Sequence, residues 1–189
     1  MAFAVWITGL AGSGKSTIAR RLKEDLNEMG FPVLHLRLDE FRKEIIPSPK
    51  FTEDERELVY DKLVDMARDQ VSSGENVIID ATGHRARWRK EASLKIKNYL
   101  EALIKCELNV CVERESGRAE GLVAADMYKK AMERRASGKK FEGLGEVVGV
   151  DVPFEEGAPD IVIESDKMSA KEAAHLILEE IKRRGMIKC

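Results

Sequence analysis

Cysteine, proline and aromatic residues are all scarce in this chain of 189 residues: three Cys, five Pro, and aromatics at 6% of positions. The cysteines, Cys106, Cys111 and Cys189, are odd in number and lack the spacing of a zinc site. This argues against a disulfide framework and for a reducing compartment. Long hydrophobic runs are missing too. The N-terminal MAFAVWITGLAGSGK stays apolar for only about eight residues before glycines interrupt it, far short of the ~20 that a membrane helix needs, and it lacks the basic start of a signal peptide. A cytoplasmic protein with no membrane partner is expected. No sign of charge dominates either: 32 Lys and Arg against 34 Asp and Glu leave a formal charge of −2. No global field therefore draws the molecule to nucleic acid or an anionic bilayer, and any polyanion must be met by a local cluster of Arg and Lys.

What is present is the alternation of a three-layer α/β protein. Apolar runs of strand length (3–8, 32–36, 76–80, 103–110 and 160–163) are separated by longer amphipathic segments (15–29, 52–73, 86–100, 124–137 and 169–184). This pattern predicts a central parallel sheet flanked by helices. The length suits a single domain over residues 1–189 with its own hydrophobic core. Gly30 and Pro32 close the first helix, Thr52 with Glu55 and Ser169 with Glu172 read as capping boxes, and Gly185 ends the last helix. Residues 116–159 differ, with half of the fourteen glycines and the basic run ERRASGKK. They are expected to form a mobile lid, at about 114–159, made of a helix and a glycine-rich loop.

The chemistry is announced by Gly9-Leu10-Ala11-Gly12-Ser13-Gly14-Lys15-Ser16, which satisfies G-x-x-x-x-G-K-[ST] between an apolar strand and a helix. Glycines let successive backbone N–H groups curl around phosphate oxygens, and the helix that begins with Lys15, Ser16 and Thr17 adds the positive end of its dipole. Lys15 supplies a cation for the β and γ phosphates of ATP, and Ser16 a hydroxyl for Mg²⁺. Without an N-K-x-D guanine signature or a second domain to couple hydrolysis to motion, a small-molecule or nucleotide kinase fits better than a GTPase or a motor.

Two carboxylates are placed for a role beside this loop. Asp39 follows the second strand, where it can take the proton of an attacking hydroxyl, hold a Mg²⁺-bound water, or cap the turn EFRKEI. Asp80 ends Val77-Ile78-Ile79 in the manner of a Walker-B carboxylate facing the metal. Arg42, Arg56 and Arg85 each follow a strand or open a helix, and together they favour an anionic small-molecule acceptor. Lys129, Lys130, Arg134 and Arg135 lie on the lid helix, where closure would bring cations to the transferring group. Arg114, at the lid junction, is placed to stack on adenine. His84, beside Arg85, reads as a solvated turn histidine or alternatively as a base, and His35 as a residue in or beside a strand.

With these motifs laid out, the sequence resembles the adenylylsulfate kinase family, most clearly in GLAGSGKSTIARRL, in MYKKA and in GVDVPFEEGAPDIVIESDKMSAKEAA. The resemblance spans most of the chain. It implies transfer of the γ-phosphate of ATP to the ribose 3′-hydroxyl of adenylylsulfate, and a homodimer. The family's D-G-D-N-x-R acceptor motif falls on residues 37–42, so Asp39 takes its second aspartate and Arg42 its arginine. G-F-S-x-x-D-R falls on 50–56, giving Phe51 and Arg56 as acceptor contacts, and S-P-[FY]-R falls on 82–85. Arg37, Leu38 and Glu40 depart from the first motif, Glu55 and Val59 stand where an aspartate and an asparagine are expected, and Val147 replaces the aromatic that clamps the substrate adenine. The lid is lengthened around 116–125.

VIIDATGHRARWR also resembles the corresponding strand and arginines of polynucleotide 5′-kinases and of kinases that act on seryl-tRNA. A kinase for another phosphorylated alcohol, nucleoside or nucleic-acid end is therefore an alternative, although near-neutral charge disfavours a large RNA partner. An ATP-binding regulatory protein that has lost acceptor chemistry is another.

Overall fold

The computed structural model describes residues 2–49, 51–116 and 126–187. Its order is β1 (Ala4–Gly9), α1 (Lys15–Glu28), β2 (Val33–Arg37), α2 (Leu38–Ile45), α3 (Glu53–Ser72), β3 (Asn76–Asp80) and α4 (Ala86–Lys95). There follow β4 (Tyr99–Lys105), α5 (Leu108–Ser116), α6 (Met127–Ser137), β5 (Ile161–Glu164) and α7 (Ala170–Arg183). The strands form one parallel sheet in the order β2-β3-β1-β4-β5.

Period-two alternation sorts the side chains into layers. Phe3, Val5 and Ile7 join Ile78, Ala102 and Ile104 on the face covered by α1 and α7, where Leu22, Leu26, Ile177 and Ile181 are fully buried. Ala4 and Trp6 point the other way with Val77 and Ile79, under Val59, Tyr60 and Leu63 of α3 and Trp88 of α4. Each such aliphatic side chain removed from water contributes ~1.5–3 kcal/mol. That burial on both faces explains why β1 and β3 read as continuous apolar runs.

Helix ends follow local chemistry. Gly30, at φ +84°, closes α1, with Phe31 N donating to Leu26 O at 2.9 Å. Ser169 and Glu172 form the expected capping box of α7. At α3, Thr52 Oγ1 accepts from Glu55 N, but the Glu55 carboxylate accepts instead from Phe51 N at 2.6 Å, one residue earlier than a capping box would have it.

Three expectations are corrected. The strand expected over 103–110 shares only 103–105 with β4, which runs from Tyr99 to Lys105, and Leu108 opens α5. The apolar run of the strand and the Leu108, Cys111, Val112 stripe of the next helix had merged into one. The helix expected over 86–100 correspondingly stops at Lys95. Residues 38–45 form a helix of their own rather than a turn. The expected lid lengthening at 117–125, the start of the lid helix at Ala124, Lys50 and Cys189 lie outside the described residues. Among those residues no helix is long and apolar enough to cross a membrane.

Candidate active site

The loop between β1 and α1 is shaped by fit as well as by glycine freedom. A Cβ on Gly9 would stand 2.4 Å from Ile104 O, and one on Gly12 2.3 Å from Cys111 O, so the loop lies flush against the end of β4 and the first turns of α5. Gly14, at φ +94°, precedes α1, whose N-terminus has no side-chain cap. The N–H groups and dipole of a helix start suit phosphate. Lys15 is buried and folds back to donate to Leu10 O at 2.8 Å, inside the loop it serves. Ser165 Oγ donates to Ser13 O at 2.6 Å, tying the turn after β5 to the same loop. Exposed Arg114 lies alongside Gly14 and donates to Ser165 O at 3.1 Å, which puts it at the edge of the phosphate loop. Thr17 is exposed one turn into α1.

Asp80 ends β3 next to β1, and its carboxylate is almost fully buried. Burial alone would raise its pKa. Contact with His35, the charge of Lys15 and a hydrogen bond from Ser16 overcome this and hold it below the usual carboxylate range. His35 Nε2, on the adjoining strand β2, lies 3.4 Å from Asp80 Oδ2 without a hydrogen bond. Asp80, Ser16 and Lys15 thus form one cluster at the strand ends. A hydroxyl and a carboxylate are the donors that Mg²⁺ takes when nucleotide phosphates and water supply the rest. Among the described residues no group of three or more His, Cys, Asp and Glu could hold a metal ion.

Asp39 lies in the first turn of α2. It borders a cleft with Leu38, Arg42, Phe51, Arg56, Tyr60 and His84, roofed by residues 143–148 and reaching Ala11 of the phosphate loop. The volume is 120 Å³, below the ~300 Å³ of a small ligand site, so a nucleotide-sized guest requires the roof to move. Arg42, with 7% of its surface exposed, lies over the Phe51 ring at 5.3 Å, and its Nε and Nη1 have no hydrogen-bond partner. Phe51 is held at φ +58°, a left-handed conformation that costs a non-glycine residue ~1–3 kcal/mol and persists where the surrounding structure over-determines it. Arg56 donates to Glu146 O at 2.7 Å and to the Glu146 carboxylate at 3.4 Å, holding the roof down. Val147 lies within that roof, its N–H bonded to Asp151 Oδ2 at 2.7 Å.

The structure therefore brings together Asp39, Arg42, Phe51 and Arg56. Arg85 lies outside this lining and pairs with Glu53 at 3.3 Å and Glu155 at 3.1 Å. Lys129 and Lys130 are also outside it. Helix α6 turns Met127, Tyr128 and Ala131 inward, which leaves Lys129 on the outer side, paired with Asp126 at 3.5 Å. Arg134 and Arg135 hold backbone rather than face the cleft. Arg134 donates to Leu144 O, Gly145 O and Asp151, and Arg135 donates to Val150 O.

Tyr60 and His84 also border the cleft, and sequence reasoning placed neither of them there. The Tyr60 hydroxyl accepts from Gly83 N at 2.8 Å, its ring stacks on Trp88 at 4.0 Å, and burial pushes its pKa up to about 12. It fixes the turn that carries His84. In the sequence, Tyr60 falls in the buried stripe of α3 with Val59, Leu63 and Val64, and a tyrosine in such a stripe reads only as core. Its stacking partner is anchored from the same helix, since Trp88 Nε1 donates to the Glu57 carboxylate at 3.1 Å.

Comparison with known proteins identifies the family and the fold. The family model for adenylylsulphate kinase matches residues 1–164. A probable adenylyl-sulfate kinase of Archaeoglobus fulgidus is 32% identical over 168 residues, covering 88% of this chain and 98% of its own. The adenylyl-sulfate kinase of Bacillus pumilus is 30% identical over 187 residues, covering 96% and 85%. Among solved structures, Mycobacterium tuberculosis APS kinase CysC in complex with AMPPNP and APS superposes with a TM-score of 0.77. That match has 23% identity and covers 96% of this chain and 98% of the other, a likeness of fold. A phosphate loop backed by a buried carboxylate, facing a cleft with Asp39, Arg42 and Arg56, is thus joined by a family match over most of the sequence, and the chain belongs to the adenylylsulfate kinase family.

Proposed function

We propose that this protein transfers the γ-phosphoryl group of Mg-ATP to the ribose 3′-hydroxyl of adenylylsulfate, giving 3′-phosphoadenylylsulfate and ADP. The observation that carries it is the cleft of Asp39, Arg42, Phe51 and Arg56 opening beside Ala11 of the phosphate loop. Acceptor and donor would meet there without either crossing the sheet.

Residues Gly9 to Thr17 bind the triphosphate, with Lys15 turning from Leu10 O to the β and γ oxygens, and Arg114 closes the nucleotide side. Mg²⁺, held through Ser16 and Asp80, would neutralise charge developing on the transferred group. Asp39 orients the acceptor hydroxyl and takes its proton. Arg42 presents two unpaired N–H groups to the acceptor's anion, and Phe51 supports a flat ring. Arg56 exchanges Glu146 for the acceptor as residues 143–148 lift. Residues 1–189 act as one kinase domain whose lid includes those residues. Arg85 and the outer lysines Lys129 and Lys130 would reach substrate only if the lid rearranges.

ATP as donor, together with free Cys106 and Cys111, fits the cytoplasm, and the family resemblance fits a homodimer. Light scattering in solution checks the dimer. The activity is tested by ADP release from Mg-ATP across a panel of acceptors. Strong stimulation by adenylylsulfate is expected. Stimulation only by another phosphorylated alcohol or a nucleic-acid end replaces the acceptor, and tight ATP binding without any stimulation replaces catalysis with regulation. Arg37, Leu38, Glu40 and Val147, which depart from the family pattern around the acceptor, make the panel the decisive measurement.

A further inference from the structure

Buried side-chain atoms without a hydrogen-bond partner gather at this site. Ser13 Oγ and His35 Nε2 lie on the nucleotide side; Arg42 Nε, Arg42 Nη1 and His84 Nε2 belong to residues that border the cleft. A buried polar atom left unpaired destabilises the fold and calls for a partner, whether water, an ion or a ligand. Arg21 Nε and Tyr99 OH are further such atoms, but those at the cleft face a space where a ligand can supply one.

His84 is the one of these without a role so far. The residue is 2% exposed, and its ring meets Trp88 edge-on with centroids 5.1 Å apart. Its backbone is fixed on both sides, since Gly83 N donates to the Tyr60 hydroxyl and Glu155 N donates to His84 O at 2.9 Å. The ring is therefore held in place, and a Phe or Tyr, which the family pattern has here, would pack on Trp88 without leaving a nitrogen unpaired. Burial first, and then the charges of Arg56 and Arg85, lower its pKa to about 4. At neutral pH the imidazole adds no third positive charge beside Arg42 and Arg56.

We propose that His84 Nε2 makes a hydrogen bond to the acceptor, next to the anion held by Arg42, and thereby helps decide which acceptor is taken. The ligand class is a phosphate or sulfate compound carrying a hydroxyl or amine close to its anionic group. This rests on the cleft being the acceptor site.

The test compares wild type with His84→Phe and His84→Gln, measuring KM for ATP and for the acceptor by ADP release. The Gln amide reaches about as far as Nε2. His84→Phe is expected to raise the acceptor KM on the order of tenfold, equivalent to one lost hydrogen bond, with ATP KM little changed; His84→Gln recovers most of the loss. The proposal is overturned by an unchanged acceptor KM in His84→Phe, by an equal rise in ATP KM, or by Gln performing no better than Phe. If adenylylsulfate fails to stimulate wild type while another member of the panel succeeds, the proposed acceptor falls, and His84 is judged with the successful one. No stimulation by any acceptor overturns both.

Discussion

Asp39 and Asp80 stand at the ends of neighbouring strands in different surroundings, and a substitution at each should be read differently. Asp80 is buried, in contact with His35 and Ser16 and under the charge of Lys15, while Asp39 borders the cleft roofed by residues 143–148. Asp80→Asn should raise the Mg²⁺ concentration needed for half-maximal rate. Asp39→Asn should lower kcat by about 10²-fold with ATP KM and Mg²⁺ demand nearly unchanged. Magnesium titrations of the two variants separate the roles, and an Asp39→Asn enzyme with near-normal kcat would transfer the proton-accepting role to another group. The sequence placed both residues at strand ends but could not divide their tasks. The division depends on which carboxylate the fold covers and on His35, whose contact with Asp80 crosses from one strand to the next.

Among the elements, α6 and the segment that follows behave as one unit. Arg134 donates to Leu144 O at 2.9 Å, to Gly145 O at 3.0 Å and to Asp151 at 2.6 Å, and Asp151 in turn accepts from Val147 N. Arg134→Ala should loosen the cleft's roof. Faster amide exchange over 144–151 and a several-fold higher acceptor KM are expected, with ATP KM changed much less; unchanged exchange would show that other contacts carry the roof. The sheet strands β1, β2 and β3 were legible because their apolar runs are bounded by glycine, proline or charge. Residues 95–116 were not, because Asn98 is a weak punctuation mark and Leu108, Cys111 and Val112 continue the hydrophobicity of β4 with a different period. The positions of Lys129 and Lys130 depended on which side of α6 packs down, and Tyr128 settles that by donating to Ala11 O at 2.9 Å. Arg134, by contrast, was recognisable as a cation but not as the support of a loop folded back onto its own helix.

For the whole molecule, two buried groups, among others such as Tyr99 and Cys111, bias stability in opposite directions with pH. His84 has a native pKa of about 4 against an ordinary 6.5, so its contribution is present above about 6.5 and is lost as pH falls toward 4. Tyr60, raised from about 10 to about 12, contributes below 10, and that is lost as pH rises through 12. Melting temperature should therefore plateau between the two. His84→Gln should flatten part of the acid slope and Tyr60→Phe part of the alkaline one. Unaltered slopes in both variants would assign the limits to other groups, such as buried Asp80 on the acid side. The parallel sheet flanked by helices followed from the alternation of apolar runs and amphipathic segments, whereas the strand order and the pairing of distant segments did not. Arg89 illustrates this: a buried arginine that bonds Glu101 of β4, Gly83 O, and the carbonyls of Glu155 and Glu156 joins parts of the chain that no local pattern connects.

The fit of Gly12 against the Cys111 carbonyl carries the same lesson to the phosphate loop itself. The eight-residue motif is self-sufficient as a pattern of letters but not as an object. Its back wall is a helix from the second half of the chain, and Ser165, later still, ties it down from the side. Transplanted into another scaffold with only its own strand and helix, the segment would keep its glycines and lose the surface they are moulded against. The loop is an impression taken from α5 rather than a portable cassette.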